Sequence, residues 1–351
     1  MALNGGEGIM ANQVLIDVMN NNKHDSGTKA RNDVAYILKR LGFETTIMFN
    51  RNHNNVYKTL ELFKAMRNIR NHIKENDIIV LQYPYQIHVM RMVLREVGYL
   101  RKKYKAKLII IIHDVVYLRK ESYISGDFEN MKKIEIGFFN SSDGIIAHNS
   151  TMKEELISAG VNVPIYELGL FDYVYDGKPA KISKTDKATI VFAGNLSQEK
   201  SGFIYDSNNQ ISNPVNLYGS KPASLKINYN YMGSFPPDEL IESLEGNYGL
   251  VWDGPSSNSC EGNYGNYLRF NNPHKFSLYI AAGLPVIVWK ESALADFVLQ
   301  HDIGVVVDSL NMLNDLPTYN SEKYQNYLRN VSRLKSKVCN GDMLKHAILN
   351  I

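Results

Sequence analysis

The sequence predicts an α/β protein of two Rossmann-like domains facing each other across a cleft. Three observations carry this. Apolar runs of strand length alternate with helix-length stretches through the first half of the chain, a polar break follows, and the alternation then restarts. Repeated strand–helix alternation gives a doubly wound parallel sheet, and 351 residues suit two domains better than one.

The elements read as follows. Gln13–Met19 (QVLIDVM) is a first strand. Ser26–Gly42 is a glycine turn and an amphipathic helix, with Val34, Ile37, Leu38 and Leu41 on one face. FETTIMF is the second strand, and a helix over Tyr57–Ile73 leads to DIIVLQYP, a strand stopped by Pro84. Another helix precedes KLIIIIHD, the strongest buried-strand signal in the chain. A continuous apolar run of that length suits a parallel strand covered on both faces. DGIIAHN and PIYELG continue the pattern. Residues Asp176–Lys187, rich in Lys, Asp, Ser and Gly, read as a linker. ATIVFAGN and VNLYG are then strands, and PPDELIESLEG is a helix opened by prolines and closed by glycine. YGLVW is a strand, NNPHKFSLYIAAG a loop entering a helix, and LPVIVW the next strand. Helices follow over about Ser292–Gln300 and Ser321–Leu334. The division expected is a first domain over residues 1–175, a second over 188–320, and helices over 321–351 that pack back toward the first.

Hydrophobic residues make up 44% and charged residues 21%, an ordinary globular mixture. A net charge of +3 is small for a dedicated nucleic-acid binder. Cys260 and Cys339 stand far apart in no metal-binding spacing and read as free thiols in a reducing cytoplasm. No charged-then-apolar leader is visible, and the apolar run Leu108–Ile112 is too short to span a bilayer. Residues before Met10 read as a flexible extension. A basic stretch (Arg91, Arg95, Arg101, Lys102, Lys103, Lys105 and Lys107) accompanies Val89, Met92, Val93 and Leu100. It reads as a solvated helix face, with contact to an anionic membrane surface left open.

In parallel sheets ligands bind beyond the carboxyl ends of the strands, so loops after strands hold the candidate chemistry. Four stand out. Gly27 in SGTKA lets the backbone approach a ligand at a helix N-terminus, which favours an anion such as phosphate. His113 and Asp114 end the KLIIII strand, where a general base reaches an acceptor hydroxyl; a capping aspartate is the alternative. Gly194 and Asn195 in FAGN form a tight turn under a diphosphate, with Lys200 adding positive charge. In NNPHKF, Asn272, His274 and Lys275 open a helix, where Lys275 and the helix dipole neutralise a leaving diphosphate. His274 is either a second donor or a residue of the cap region. Leu278, Ile280 and Ala281 read as packing. The sequence has no pair of aspartates two apart, no zinc spacing and no GxxxxGK[ST], and no GxGxxG follows the first strand.

IIHDVVYL, DGIIAHNSTM, FAGN, YGLVW and above all KFSLYIAAGLPVIV resemble the glucosyltransferases that act second in glycosylating serine-rich repeat adhesins. The chain is also similar to bacterial β-1,6-galactofuranosyltransferases of surface polysaccharides. The likeness runs from about Gln13 to Leu349. It implies a GT-B glycosyltransferase fold, with a UDP-sugar held mainly by the second domain and the acceptor by the first, and no metal or other cofactor. It implies that Gly194 and Asn195 contact the donor phosphates, that Tyr218 or its neighbours flank the uracil, and that Lys275 binds the diphosphate. Gly27 and Thr28 then close the cleft from the first domain. The reaction it implies is inverting, with Asp114 or His113 as base. Leu278 stands where the wider pattern has the second of two glutamates, which leaves ribose recognition unassigned. The segment Ser256–Phe270 is expected to line the sugar pocket.

The leading expectation is glucose transfer from UDP-glucose to a GlcNAc-modified adhesin. UDP-GlcNAc and UDP-galactofuranose are the rival donors. The alternatives of another kind are a catalytically silent partner that binds glycoprotein and a sugar-nucleotide epimerase. Glycoprotein or glycan acceptors are expected partners, self-association is left open, and nucleic acid is not expected.

Overall fold

A computed structural model describes residues 12–19, 26–50, 55–84, 87–120, 128–221 and 229–351. The extension expected before Met10 lies outside the described residues. The first half runs β1 (Asn12–Met19), α1 (Ser26–Arg40), β2 (Phe43–Asn50), α2 (Asn55–His72), β3 (Ile78–Tyr83), α3 (Ile87–Tyr104), β4 (Lys107–Ile112), α4 (Val116–Arg119), α5 (Phe128–Phe139), β5 (Gly144–Ala147), α6 (Ser150–Ser158) and β6 (Ile165–Glu167). Its six strands are parallel, in the order β2-β1-β3-β4-β5-β6.

The second half runs β7 (Lys181–Ile182), β8 (Ile190–Ala193), α7 (Gln198–Ser201), β9 (Val215–Tyr218), β10 (Tyr229–Gly233), α8 (Pro237–Ser243), β11 (Glu245–Gly246) and β12 (Tyr248–Val251). It continues through α9 (Gly262–Tyr267), α10 (His274–Ala282), β13 (Val286–Trp289), α11 (Ala295–His301), β14 (Gly304–Val307), α12 (Glu322–Asn340) and α13 (Asp342–Leu349). Its main sheet is again six parallel strands, in the order β10-β9-β8-β12-β13-β14. Both sheets change their direction of growth beside the first strand, between β1 and β3 and between β8 and β12. Such switch points open a crevice at the strands' carboxyl ends.

Side chains explain the layering. Along β3 and β4, Ile79, Leu81, Tyr83, Leu108, Ile110 and Ile112 enter one core. Val80, Ile109 and Ile111 enter another on the opposite face, with Val34, Ile37 and Leu38 of α1. A strand period of two thus fills both faces, and each buried aliphatic side chain contributes about 1.5–3 kcal/mol. In the second half α10 is the central helix, with Phe276 through Ala282 all buried. Gly249 lets β12 lie against it, since a Cβ there would fall 2.0 Å from the Tyr279 ring. The Tyr279 hydroxyl accepts from Ala193 N–H at 2.9 Å and donates to the Leu250 carbonyl at 3.2 Å. These bonds pin α10 beneath β8 and β12 and fix its N-terminus at the strand ends.

Some elements differ from the sequence reading. The Asp176–Lys187 segment contains β7, which pairs with β11. The helix in PPDELIESLEG therefore stops at Ser243, and Gly246 belongs to that strand pair rather than to a helix cap. The last long helix continues to Asn340, opened by Ser321, whose side chain accepts from Tyr324 N–H. Leu344 and Ala347 of α13 join the core of Val34, Ile37 and Phe43, so the chain's end packs on the first half. The basic stretch falls on α3 and the residues after it. Val93 and Leu100 are buried against the sheet, and Arg101 and Lys105 pair with Asp143 and Glu75. The apolar side of α3 is therefore occupied by the protein's own core. Among the described residues no helix is long and apolar enough to cross a membrane. Cys260 and Cys339 are free thiols.

Candidate active site

On the second domain the strand ends converge on Lys275. This residue stands in the first turn of α10, and its Nζ donates to Asp253 Oδ1 at 2.7 Å and to the Trp252 carbonyl at 3.3 Å. It also lies 4.6 Å from the centre of the Phe192 ring. Burial lowers its pKa, while Asp253 works the other way. Gly194, at the end of β8, sits directly above: a Cβ there would fall 4.0 Å from Lys275 Nζ. Gly194 N–H bonds the Tyr218 carbonyl at 2.9 Å, and Asn195 Oδ1 accepts from Ser197 N–H at 2.9 Å, closing the turn. The next strand end approaches just as closely, since a Cβ on Gly219 would lie 2.1 Å from the Gly194 carbonyl oxygen. Two glycine turns, a buried lysine and a helix N-terminus therefore share one corner. Amide N–H groups and a cation gathered in this way are the elements from which phosphate sites are built.

The first domain contributes the loop after β4. The Asp114 carboxylate is half-exposed and pairs with Arg119 at 2.9 Å. The His113 Nε2–H donates to Gln82 Oε1 at 2.7 Å, which leaves Nδ1 as the lone-pair nitrogen. Its ring stacks on Phe171 at 5.3 Å, and burial holds its pKa well below the usual range, so the imidazole is neutral. The two lobes meet at this loop. Tyr267, from α9, is buried in the first domain's core, and its hydroxyl accepts from Val115 N–H at 2.8 Å. Tyr264, one turn earlier, has Arg119 5.5 Å and Lys200 5.4 Å from its ring centre. The Ser256–Phe270 segment thus spans the cleft. Gly27 and Thr28 lie in the first turn of α1. That turn abuts the second domain through Lys29, whose Nζ is 2.9 Å from the Val174 carbonyl and 3.8 Å from Asp238.

Three expected donor residues stand elsewhere. Tyr218 is buried, with its hydroxyl accepting from Glu245 N–H at 2.8 Å, so its ring belongs to the core rather than to a uracil face. Asn272 is committed to the seam between lobes: its Oδ1 accepts from Asn149 at 2.7 Å, and its Nδ2 donates to the His148 and Gly169 carbonyls. His274 begins α10, stacks on Tyr173 at 5.0 Å and bonds the Asp172 backbone; burial holds it neutral, with a pKa of about 3. It cannot supply positive charge. Among the described residues its buried Nε2 has no hydrogen-bond partner.

Four residues of this region were not singled out from the sequence. Asp253 lies two residues after β12, where a scan of strand ends finds it. Glu135 lies within α5, and its carboxylate accepts from Tyr83 Oη at 2.6 Å, Val116 N–H at 2.8 Å and Tyr117 N–H at 2.7 Å. Burial raises its pKa to about 7. Tyr267 and Arg119 gave no local signal either, because their partners come from distant parts of the chain.

Comparison with known proteins fits this geometry. Residues 13–170 match the model of the glucosyltransferase 3-like N-terminal domain, and residues 190–351 that of the glucosyltransferase 3-like C-terminal domain. The chain is 26% identical to beta-1,6-galactofuranosyltransferase WbbI of Escherichia coli (strain K12), covering 95% of this chain and 96% of that one. It is 26% identical to glucosyltransferase 3 of Streptococcus gordonii, covering 92% of each. Among solved structures, sucrose-phosphate synthase from Thermosynechococcus elongatus superposes with a TM-score of 0.64 at 12% identity, covering 97% and 98% of the two chains. The fold is GT-B, two Rossmann-like domains across a cleft.

Proposed function

Because the chain belongs to the glucosyltransferase 3-like family of glycosyltransferases, we propose that it moves glucose from UDP-glucose to a GlcNAc-bearing serine-rich repeat glycoprotein, with inversion. The observation that carries this is Lys275: a buried ammonium in the first turn of α10, under the Gly194 turn, with the partly exposed Asp114 carboxylate contributed by the other domain. The leaving UDP carries its new negative charge on the diphosphate. Lys275 and the α10 amides meet that charge as it develops, which lowers the barrier. Asp114 takes the proton from the acceptor hydroxyl, and the Arg119 ion pair at 2.9 Å orients its carboxylate.

Charge neutralisation by Lys275 gives a reaction that needs no metal ion. Transfer then persists in EDTA. The screen that tests the reading measures UDP release from UDP-glucose, UDP-GlcNAc and UDP-galactofuranose, each with and without a GlcNAc-peptide. Peptide-stimulated release from UDP-glucose alone is the expected result. Folded protein that binds no UDP points instead to a silent glycoprotein-binding partner. Isomerised UDP-sugar without acceptor points to an epimerase.

A second donor has its own support. The galactofuranosyltransferase relative matches at the same identity as the glucosyltransferase and over a larger share of the chain. Release from UDP-galactofuranose in the same screen selects that reading.

A further inference from the structure

Glu135 and Tyr267 hold three consecutive backbone amides next to Asp114. Val115 N–H goes to the Tyr267 hydroxyl at 2.8 Å, Val116 N–H to Glu135 Oε1 at 2.8 Å, and Tyr117 N–H to Glu135 Oε2 at 2.7 Å. Both clamping side chains are buried, Glu135 fully. Tyr83, at the end of β3, donates its hydroxyl to Glu135 Oε1 at 2.6 Å, tying the carboxylate to the neighbouring strand. The amides follow directly on Asp114, whose carboxylate is partly exposed and paired with Arg119. A buried amide left without a partner is costly, so these bonds determine where the loop sits.

The two clamps come from different lobes. Glu135 belongs to α5 of the first domain, whereas Tyr267 reaches over from α9 of the second. Helix α9 itself packs beside the lysine corner: a Cβ on its Gly265 would lie 2.5 Å from the Cys260 carbonyl carbon and 2.9 Å from the Asp253 carbonyl oxygen, and Asp253 pairs with Lys275. A continuous chain of contacts thus runs from Lys275 through Asp253, Gly265 and Tyr267 to Val115.

We propose that Glu135 and Tyr267 are positioning residues that set the Asp114 carboxylate for proton abstraction, with Tyr267 making that setting depend on the second lobe being docked. This rests on Asp114 being the base. Both clamping side chains are buried and engaged with the loop's own amides, so the clamp acts on turnover and not on donor affinity.

The test compares Tyr267→Phe, Glu135→Gln and Asp114→Asn in full-length protein, measuring UDP affinity, KM for the donor, kcat and the pH profile of kcat. Tyr267→Phe removes one oxygen and keeps the ring in its core site. Its expected result is a fall in kcat of about tenfold to a hundredfold, the cost of a misplaced catalytic group. UDP affinity and donor KM stay within about twofold, and the acidic limb of the pH profile, where the base is protonated, moves. Glu135→Gln shows the same split; if it does not fold, Tyr267→Phe decides alone. Loss of kcat in Asp114→Asn together with wild-type kcat and pH profile in Tyr267→Phe overturns the clamp while the functional reading stands. A fall in UDP affinity that matches the fall in kcat overturns it also. Wild-type turnover in Asp114→Asn removes the base assignment, and the clamp with it.

Discussion

Lys275 Nζ sits 2.7 Å from Asp253 Oδ1, and both side chains are about nine-tenths buried. The pair is the electrostatic centre of the proposed donor corner. Taking away the aspartate leaves an ammonium in a site that disfavours charge. Asp253→Asn is expected to destabilise the ligand-free protein by about 3–5 kcal/mol, the range for breaking a buried pair from one side. A diphosphate then replaces the missing anion, so UDP is expected to raise the melting temperature of Asp253→Asn more than that of wild type. Lys275→Met strands the buried Asp253 carboxylate and is expected to cost a similar amount, but with little or no UDP-induced shift, because the cation that meets the diphosphate is gone. Thermal melts with and without UDP check both. An equal UDP shift in all three proteins places the diphosphate elsewhere.

Gly219 meets the Gly194 carbonyl oxygen so closely that a Cβ would stand 2.1 Å away, and its φ of +149° is one that side chains rarely adopt. Neither the strand end nor the carbonyl has room to retreat, because Gly194 N–H is bonded to the Tyr218 carbonyl at 2.9 Å. Gly219→Ala is expected to cost about 3 kcal/mol or more by overpacking plus backbone strain. It also displaces the Gly194 turn, so UDP affinity falls in whatever fraction stays folded. Denaturant melts and calorimetric UDP titration read the two effects. A stable Gly219→Ala that binds UDP normally refutes the tight-turn account.

Much of this was legible in the sequence because it depends on local periodicity. Continuous apolar runs such as Leu108–Ile112 announce strands buried on both faces, and the strand-end rule leads straight to His113, Gly194 and Lys275. What escaped depends on long-range geometry. Glu135 looks like any helix carboxylate until α5 turns it toward the N–H groups of Val116 and Tyr117. Tyr267 lies in a polar segment, and only the folded chain shows it plugging the other lobe. The family resemblance places Tyr218 or its neighbours at the uracil, and the Tyr218 ring itself lies buried in the core, with its hydroxyl on Glu245 N–H.

Asn272 separates a seam role from a donor role. Its side chain bonds Asn149 at 2.7 Å and two carbonyls of the first domain, and Asn149 in turn caps α6 by accepting Met152 N–H at 2.8 Å. Asn272→Ala takes one partner each from Asn149 Nδ2 and from the His148 and Gly169 carbonyls; Asn149 keeps the Phe270 carbonyl and the His148 carbonyl keeps Gly169 N–H. The expected loss of stability is about 2–4 kcal/mol. UDP affinity, compared at a temperature where both proteins are folded, is expected to change less than about threefold. A stable variant with badly impaired UDP binding restores Asn272 to the donor site.

His148 carries the pH sensitivity of the same seam. Its Nδ1 accepts from Asn272 N–H at 3.0 Å and its Nε2–H donates to the Ile112 carbonyl at 3.1 Å, so the ring bridges both lobes only while neutral. Burial is the main cause that depresses its pKa from 6.5 to about 4, against the backbone carbonyls around it. A depressed folded-state pKa contributes stability that is fully present above pH 6.5. It is lost as pH falls through the folded value near 4, because the unfolded chain binds the proton first. The difference corresponds to at most about 3 kcal/mol. His148→Gln cannot titrate. The stability gap between wild type and His148→Gln is therefore expected to narrow, or to reverse in favour of the variant, as pH falls from 7 to 4. Glu135 titrates in the same range with the opposite sign: its pKa, raised from 4.5 to about 7, gives stability present below 4.5 and lost as pH rises through 7. Because Glu135 is present in both proteins, its contribution cancels in the comparison. Urea melts of the pair at half-unit pH steps measure the gap, and a gap that stays constant from pH 7 to 4 excludes His148 as the titrating group.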